Sequence, residues 1–428
     1  MKARPAFSGI LVISLALGTC AAAQTAPSTT QIGFLARAGT QLTLQGQPFH
    51  ELSVNKFDLF LQFVMPGAEH RGNNNVPAAL EALRLLHEHG FRVVRIFGSP
   101  YGPAEYDAFF FDDDPQRQDA KRQLFFERFD QMLDTCDEQQ IRVVVSLVWN
   151  FENLADLGHH SLAEGLRNRQ SVGRMKLEEY IRAVVSRYRD RTTVAMWEIG
   201  NELNLWADLQ DPHGVIAGSP SGDSGHPGPV VRDRRNNFTS DDLAVFEKDM
   251  ATLIRSLDQN HLITTGSSAP RASAMHLLRA ARAGASQDWT FDTEAELRKY
   301  LTLTNPDPVD VISIHYQEDA MAALGGAVGN PENLRLFMRL ADDISKPLFI
   351  GEIGYDTTFS GYFTAADIAQ GVNTLRMTLP VIVEQRIPLT TYWTFSDDRF
   401  GVRDGSLRYG RTDEALDLIQ AANSSLRQ

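Results

Sequence analysis

Two periodicities alternate along most of the chain. Ala79, Ala82, Leu83 and Leu86 recur at three- and four-residue steps between Pro77 and Gly90, which predicts a helix over Leu80–His89. Phe125, Phe129, Met132, Leu133 and Cys136 form a second stripe, and Leu177, Ile181, Val184, Val185 and Tyr188 a third. Leu243, Phe246, Met250, Leu253, Ile254 and Leu257 form a fourth, with Ser240 as its expected cap. Stripes of this spacing face a core, and Cys136 reads as a small buried hydrophobe within one of them. Between the helices lie short β-branched runs: Phe91–Phe97, Ile141–Val148, Val194–Ile199, Leu262–Thr265, Val309–Ile314, Leu348–Ile350 and Leu389–Tyr392. They are almost continuously apolar, as expected for parallel strands buried on both faces. Residues 91–94 (FRVV) and 141–144 (IRVV) echo each other. With a first strand near Leu52–Asn55 there are eight strand–helix units, which predicts an α/β fold, a single (β/α)₈ TIM barrel over residues 35–428.

Two stretches break the rhythm. Residues 207–239 are rich in Gly, Pro, Asp and Ser and follow the fourth strand, and residues 268–308 form a long connection before the sixth. In this architecture connections that follow strands lie at the catalytic rim, so both are expected to be long rim loops. The chain opens with Lys2 and Arg4, an apolar run from Phe7 to Leu17, and small residues at Ala21, Ala22 and Ala23. That order predicts a secretory signal over residues 1–23, a short tether over 24–34, and a secreted or periplasmic product. Lipoprotein processing would place a Cys directly after the cleavage site, and Thr19 before Cys20 fits that pattern poorly. The apolar run is shorter than the roughly 20 residues that cross a bilayer, and no later run is longer, so no membrane span is expected. Loss of Cys20 with the signal would leave Cys136 as a lone thiol without an internal disulfide.

Charge narrows the partners. There are 54 Asp and Glu against 41 Lys and Arg, a formal net charge of −13. A nucleic-acid backbone needs a basic footprint, so nucleic acid is not expected as a partner. Metal binding has little support: His159 and His160, like His87 and His89, lack a matching acidic or Cys set. No Gly-x-Ser-x-Gly elbow is present, and no Gly-rich phosphate loop precedes a helix.

The chemistry concentrates at strand ends. Trp197-Glu198-Ile199-Gly200-Asn201-Glu202 closes the fourth strand, and Gly351-Glu352-Ile353-Gly354 closes the seventh. A carboxylate at the end of a buried strand is expensive unless function holds it there. Two glutamates at one barrel mouth suit glycoside hydrolysis, where one protonates the leaving oxygen and the other attacks the anomeric carbon. Arg95 inside the second strand needs an acidic partner, and an arginine beside the nucleophile would orient it and lower its pKa. Asn201 precedes the acid and can reach a sugar 2-hydroxyl. His315 ends the sixth strand and Trp393 the eighth, where an indole can floor a sugar site. Trp149 and Asn150 end the third strand and Trp206 follows the acid; these too are candidate sugar contacts.

In this order the residues resemble the clan A glycoside hydrolases and, within them, family 5, which holds cellulases and β-mannanases. The resemblance covers most of the chain after the signal. It implies a retaining mechanism without a cofactor, with Glu202 as acid/base beside Asn201 and Glu352 as nucleophile, supported by Arg95, His315 and Trp393. Two departures stand out. Many members carry a His at the end of strand three, whereas this chain reads SLVWNFEN, closer to the β-mannanases. The usual strand-six spacing is His-x-Tyr, whereas here Tyr316 directly follows His315. The tyrosine expected to contact the nucleophile is then Tyr316 on a bulged strand, or is replaced by Gln317 or Tyr355. The leading expectation is endo-acting hydrolysis of a β-1,4-linked polysaccharide, mannan ahead of glucan. An exo-acting β-glycosidase is the runner-up, and a non-catalytic carbohydrate-binding protein on a barrel scaffold is the reading from another class.

Overall fold

The computed structural model describes residues 33–65, 76–210, 234–316, 331–354, 365–393, 395–396, 407–408 and 414–427. The signal and tether up to residue 32, the 211–233 part of the first rim loop, Gln317 and Tyr355 all lie outside this set.

The apolar runs pair in parallel. Eight strands, β4 (Glu51–Asn55), β5 (Val93–Phe97), β6 (Arg142–Ser146), β7 (Val194–Glu198), β8 (Leu262–Thr264), β9 (Ile312–Tyr316), β10 (Leu348–Ile353) and β11 (Leu389–Tyr392), form one sheet. Its order is β8-β7-β6-β5-β4-β11-β10-β9. A parallel bridge between Thr264 and Val311 joins its two ends, so the sheet closes into a barrel. Helices that include Val76–Glu88, Pro115–Glu138, Val172–Tyr188, Ser240–Leu257 and Pro331–Ile344 surround it. The four stripes all face inward, and Cys136 is fully buried.

Alternation along the strands builds the interior in two parts. Val93, Val144, Met196, Leu262, Val311, Phe349 and Leu389 meet inside the barrel toward the strand starts. A small antiparallel sheet of β1 (Leu35–Ala38), β2 (Gln41–Leu44) and β3 (Gln47–Pro48) supplies Leu35, Leu42 and Phe49 to the same cluster. The residues in between on each strand, such as Val94, Ile96, Ile312 and Ile314, face the helices instead.

Three expectations change. Residues 268–308 are not a structureless loop: they contain helices Ala274–Ala283 and Glu294–Thr304. The second starts with a capping box in which Thr293 and Glu296 satisfy each other's backbone N–H groups. Thr239, not Ser240, caps the helix after β7, again reciprocally with Asp242. Ser240 turns inward and bonds Asp208 and Tyr300. Finally, Phe34 is not slack tether, because its ring meets the edge of His261 at 5.0 Å.

Candidate active site

Two residues beyond the apolar interior, the same inward positions become polar. Val93 is followed by Arg95, Met196 by Glu198, and Val311 by Ser313 and His315. Arg95 is fully buried and every N–H of its guanidinium has a partner. Its Nε donates to both oxygens of Glu198, at 3.1 and 2.9 Å. Its Nη1 donates to Asn55 Oδ1 at 3.0 Å and to Glu352 Oε1 at 2.8 Å. Its Nη2 donates to Glu198 Oε1 at 2.7 Å and to Asn201 Oδ1 at 2.6 Å. The guanidinium thus ties strands β4, β5, β7 and β10 together and stacks 4.9 Å from the Trp149 ring.

Glu352 reaches this network through a break in register. Phe349 pairs with Ser313 and Ile350 with Ile314, yet Glu352 pairs with His315, so Gly351 is the extra residue of a bulge. Strict alternation from inward Phe349 would turn Glu352 outward; the bulge turns it in. Gly351 also has to be Gly, since a Cβ there would lie 2.7 Å from His315 Nε2.

Glu202 is placed by a different device. It sits just past β7 in the left-handed region, with φ 55° and ψ 29°, a conformation that costs a non-glycine residue about 1–3 kcal/mol. Its N–H donates to Gly266 O at 2.9 Å. Gly266 has φ +75°, and a Cβ on it would come within 1.8 Å of Gly200 O. The turn that presents Glu202 therefore depends on a glycine from the neighbouring strand end.

His315 lies between the two glutamates. Its Nδ1 is 2.9 Å from Glu202 Oε1 and 3.5 Å from Glu352 Oε1. Burial pushes its pKa down to about 4, so the ring is neutral at neutral pH. Ligand atoms of Glu202, His315 and Glu352 all lie within 4.8 Å of one another. Burial raises Glu202 to about 7; Arg95 pulls it back and Glu198 adds to the rise. Burial raises Glu352 to about 7 as well, opposed by His315 and Arg95 and reinforced by Glu202. The two carboxyls titrate together. Arg95 bonds the Glu352 carboxylate and spends no donor on Glu202, which favours the ionised form at Glu352 over that at Glu202.

Aromatic rings border the polar cluster. Trp393 stacks on Phe57 at 5.1 Å and lies parallel to Trp149 at 6.2 Å. Trp149 leans on Phe97 at 3.8 Å, and Phe97 stacks on Tyr101 at 6.4 Å. Trp206 tilts over Phe151 at 5.7 Å. Trp149, Trp206 and Trp393 are all half-buried. Asn150 is also half-buried, but its Oδ1 accepts the Glu152 N–H at 3.2 Å, so the side chain turns the local backbone. With Asn201 Oδ1 held by Arg95, its amide N–H₂ is the end left for a ligand.

Of the residues singled out in the sequence, Arg95, Asn201, Glu202, His315 and Glu352 form one connected cluster. Tyr316 does not join it. It is the outward residue after inward His315, and its ring is buried among the apolar side chains between sheet and helices. Burial raises its pKa, and β9 carries no bulge that would turn it back. Glu198 and Asn55 were missed. Glu198 was readable, since an inward Arg95 on one strand calls for an inward carboxylate on a near neighbour. Asn55 donates to Gly351 O at 2.9 Å, so it braces the bulge behind Glu352, and no pattern in the sequence marks that contact.

The sequence matches the cellulase family, glycosyl hydrolase family 5, over residues 53–398. The chain belongs to glycosyl hydrolase family 5. A mannan endo-1,4-beta-mannosidase F from Aspergillus clavatus is 23% identical over 144 residues, which is 33% of this chain and 26% of that protein. The chain thus matches only about a quarter of the length of that relative. Solved structures share the fold at low identity. An endo-1,4-beta-mannanase from Rhizomucor miehei superposes with a TM-score of 0.61 at 17% identity, covering 92% of this chain and 100% of that one. An exo-beta-1,4-mannosidase from Opitutaceae bacterium strain TAV5 gives 0.55 at 17% identity, covering 89% and 60%.

Proposed function

We propose that this family 5 member hydrolyses β-1,4-linked mannan within the chain, with retention, using Glu202 as acid/base and Glu352 as nucleophile. The observation that carries the roles is the asymmetry of Arg95. It donates to Glu352 and not to Glu202, so one carboxyl is kept ionised and the other holds the proton. One oxygen of each carboxyl lies within 4.8 Å of one oxygen of the other, which is their near approach rather than the separation of the groups. Inverting enzymes leave roughly 6.5–9.5 Å for a water, so this spacing supports direct attack by a carboxylate.

In the first step a Glu352 oxygen bonds the anomeric carbon while the glycosidic C–O bond breaks, and the Glu202 proton goes to the departing oxygen. Forming the ester removes the negative charge of Glu352, so the pKa of Glu202 falls and it becomes a base. Glu202 then takes a proton from water, the hydroxyl oxygen bonds the anomeric carbon, and Glu352 is released as carboxylate. Neutral His315, 2.9 Å from Glu202, fixes the acid in place without adding a charge. The Asn201 amide faces the sugar 2-hydroxyl in this reading, and Trp393 and Trp149 offer ring faces to the substrate.

Mannan is preferred over glucan because the mannan-named relative and neighbours agree with an end of strand three that holds Asn150 and Asn153 and no His. Exo action is the second reading, favoured by the likeness to the bacterial exo-mannosidase fold. Export rests on the pattern of residues 1–23. A panel of mannan, glucomannan, carboxymethyl cellulose and aryl β-glycosides tests the proposal. The expected result is a rapid fall in mannan viscosity at low reducing-end release. Steady release of mannose at constant viscosity would establish exo action, and saccharide binding without turnover would make the barrel a binding protein.

A further inference from the structure

We infer that Trp289 and Phe291 form a second sugar-binding platform at the barrel rim, which holds a β-linked polysaccharide chain away from the bond being cut. The inference rests on the polysaccharide reading above and adds a site to it.

The two rings are 53% and 56% exposed, among the most exposed large apolar side chains of the described residues. They lie two apart in the irregular segment between helices Ala274–Ala283 and Glu294–Thr304. That segment is well anchored. Thr290 N–H donates to Asp288 Oδ1 at 2.9 Å, and Asp292 N–H donates to Ala272 O at 2.6 Å. The Asp292 carboxylate accepts the backbone N–H groups of Met275 and His276 at 2.7 and 3.1 Å. The backbone on either side is therefore fixed, and the rings project from a rigid support, which lowers the entropy lost on binding.

The support belongs to the catalytic rim on the Glu202 side. Gly266 O holds the Glu202 N–H, Ala269 N–H donates to His315 O at 3.1 Å, and Ser268 and Asn204 bond each other twice, at 2.8 and 2.9 Å. Arg271 donates to the carbonyls of Leu205 and Ala207, and Gln210 to that of Ala285. The strip from Glu202 through half-buried Trp206 to Gln210 thus runs continuously from the reacting carboxyls to the aromatic segment.

Size and charge select the occupant. An aromatic side chain buries 150–250 Å² when fully covered, so two half-exposed rings offer about 200 Å². A specific protein interface needs about 800 Å² per partner. A patch a quarter of that size suits one or two sugar rings. Its surroundings carry paired charges, Arg279 with Glu296 and Arg339 with Glu294. They offer no single-sign field for an ionic partner, as expected of a neutral polysaccharide site.

The test uses the full chain and the variant Trp289→Ala, with insoluble β-1,4-mannan and cellulose as binding probes and mannan and an aryl β-mannoside as substrates. Retention on the insoluble polymer should fall, and KM on mannan should rise about tenfold. Turnover number, aryl-mannoside kinetics and Tm should stay unchanged, because the ring is exposed and no part of the hydrogen-bonded cluster of Arg95, Glu198, Glu202, His315 and Glu352. Equal KM on mannan for both proteins, or a matching loss on the aryl substrate, overturns the platform. So does a change in oligomeric state on removal of the ring, which would make a second copy the occupant. If the wild type turns over none of the substrates, the hydrolase reading fails. Retention on polymer that is lost in Trp289→Ala would still support the platform, and equal retention would reject it.

Discussion

The two ends of one barrel use the same strands for opposite purposes. At the strand starts the inward positions are Val93, Met196, Val311 and Phe349, sealed by Leu35, Leu42 and Phe49 from the N-terminal sheet. Two to four residues later the inward positions are Arg95, Glu198, His315 and Glu352, all at 3% exposure or less. The first layer contributes transfer free energy that depends only on area and fit. The second places charges where solvation is poor, and its members are tolerable only together. One end is held by packing and the other by mutual neutralisation, so the same kind of mutation should fail differently at each.

The largest stability effect is expected at Arg95. Arg95→Met keeps much of the volume but leaves Glu198 and Glu352 buried without their cation. Removing one partner of a buried charge set costs about 3–5 kcal/mol. Urea unfolding should show that loss, and activity should be abolished even in the folded fraction. A stability unchanged within about 1 kcal/mol would break the account of the polar end. At the apolar end, Val311→Ala removes two methylene equivalents and leaves a small cavity, for a loss of about 2 kcal/mol. Its kcat at a temperature where it is fully folded should equal the wild-type value. A fall in kcat without a fall in stability would mean that the two layers are not separable.

The smallest effect is the pH dependence of stability. Glu202 is pushed up to about 7 in the folded chain from an ordinary carboxyl value of 4.5. The folded state therefore binds its proton more tightly than the unfolded state. The resulting stability is full below pH 4.5 and is lost as pH rises through about 7. Glu352 is raised to about 7 as well, so Glu202→Gln should reduce the slope of the urea midpoint across that window without abolishing it, while Val311→Ala should shift the whole curve down without changing its shape. Identical slopes for wild type and Glu202→Gln would show that Glu202 does not carry the shift.

The difference between the ends also governs what could be read in advance. Packing is written as periodicity, so the eight strands and the four helical stripes were visible from apolar residues alone. Helices Ala274–Ala283 and Glu294–Thr304 were overlooked, although the Thr293–Glu296 pair is a helix-start signal that the sequence displays. Glu202 and Glu352 were visible because a carboxylate at a strand end is costly. The aim of Glu352 was not, because it depends on the bulge at Gly351, and a one-residue slip has no periodic signature. Tyr316 illustrates the converse. Plain alternation after inward His315 already sends it outward, and no bulge intervenes. Glu198 was readable from the demand of inward Arg95 for an inward carboxylate on a nearby strand, whereas the sharing of that arginine between Glu198 and Glu352 appears only when β5, β7 and β10 are placed in one barrel.

The assignment of roles is tested most directly by azide rescue of the two alanine variants on an activated aryl β-mannoside. Glu202→Ala should still form the glycosyl ester, because such a leaving group departs with little protonation. Azide, which needs no base, should then restore turnover and yield the β-configured glycosyl azide. Glu352→Ala has no nucleophile, should lose activity on every substrate, and with azide can yield only the α-configured product. The opposite pairing of rescue and configuration would exchange the two roles, and the absence of a β-configured azide from both variants would contradict the retaining mechanism itself.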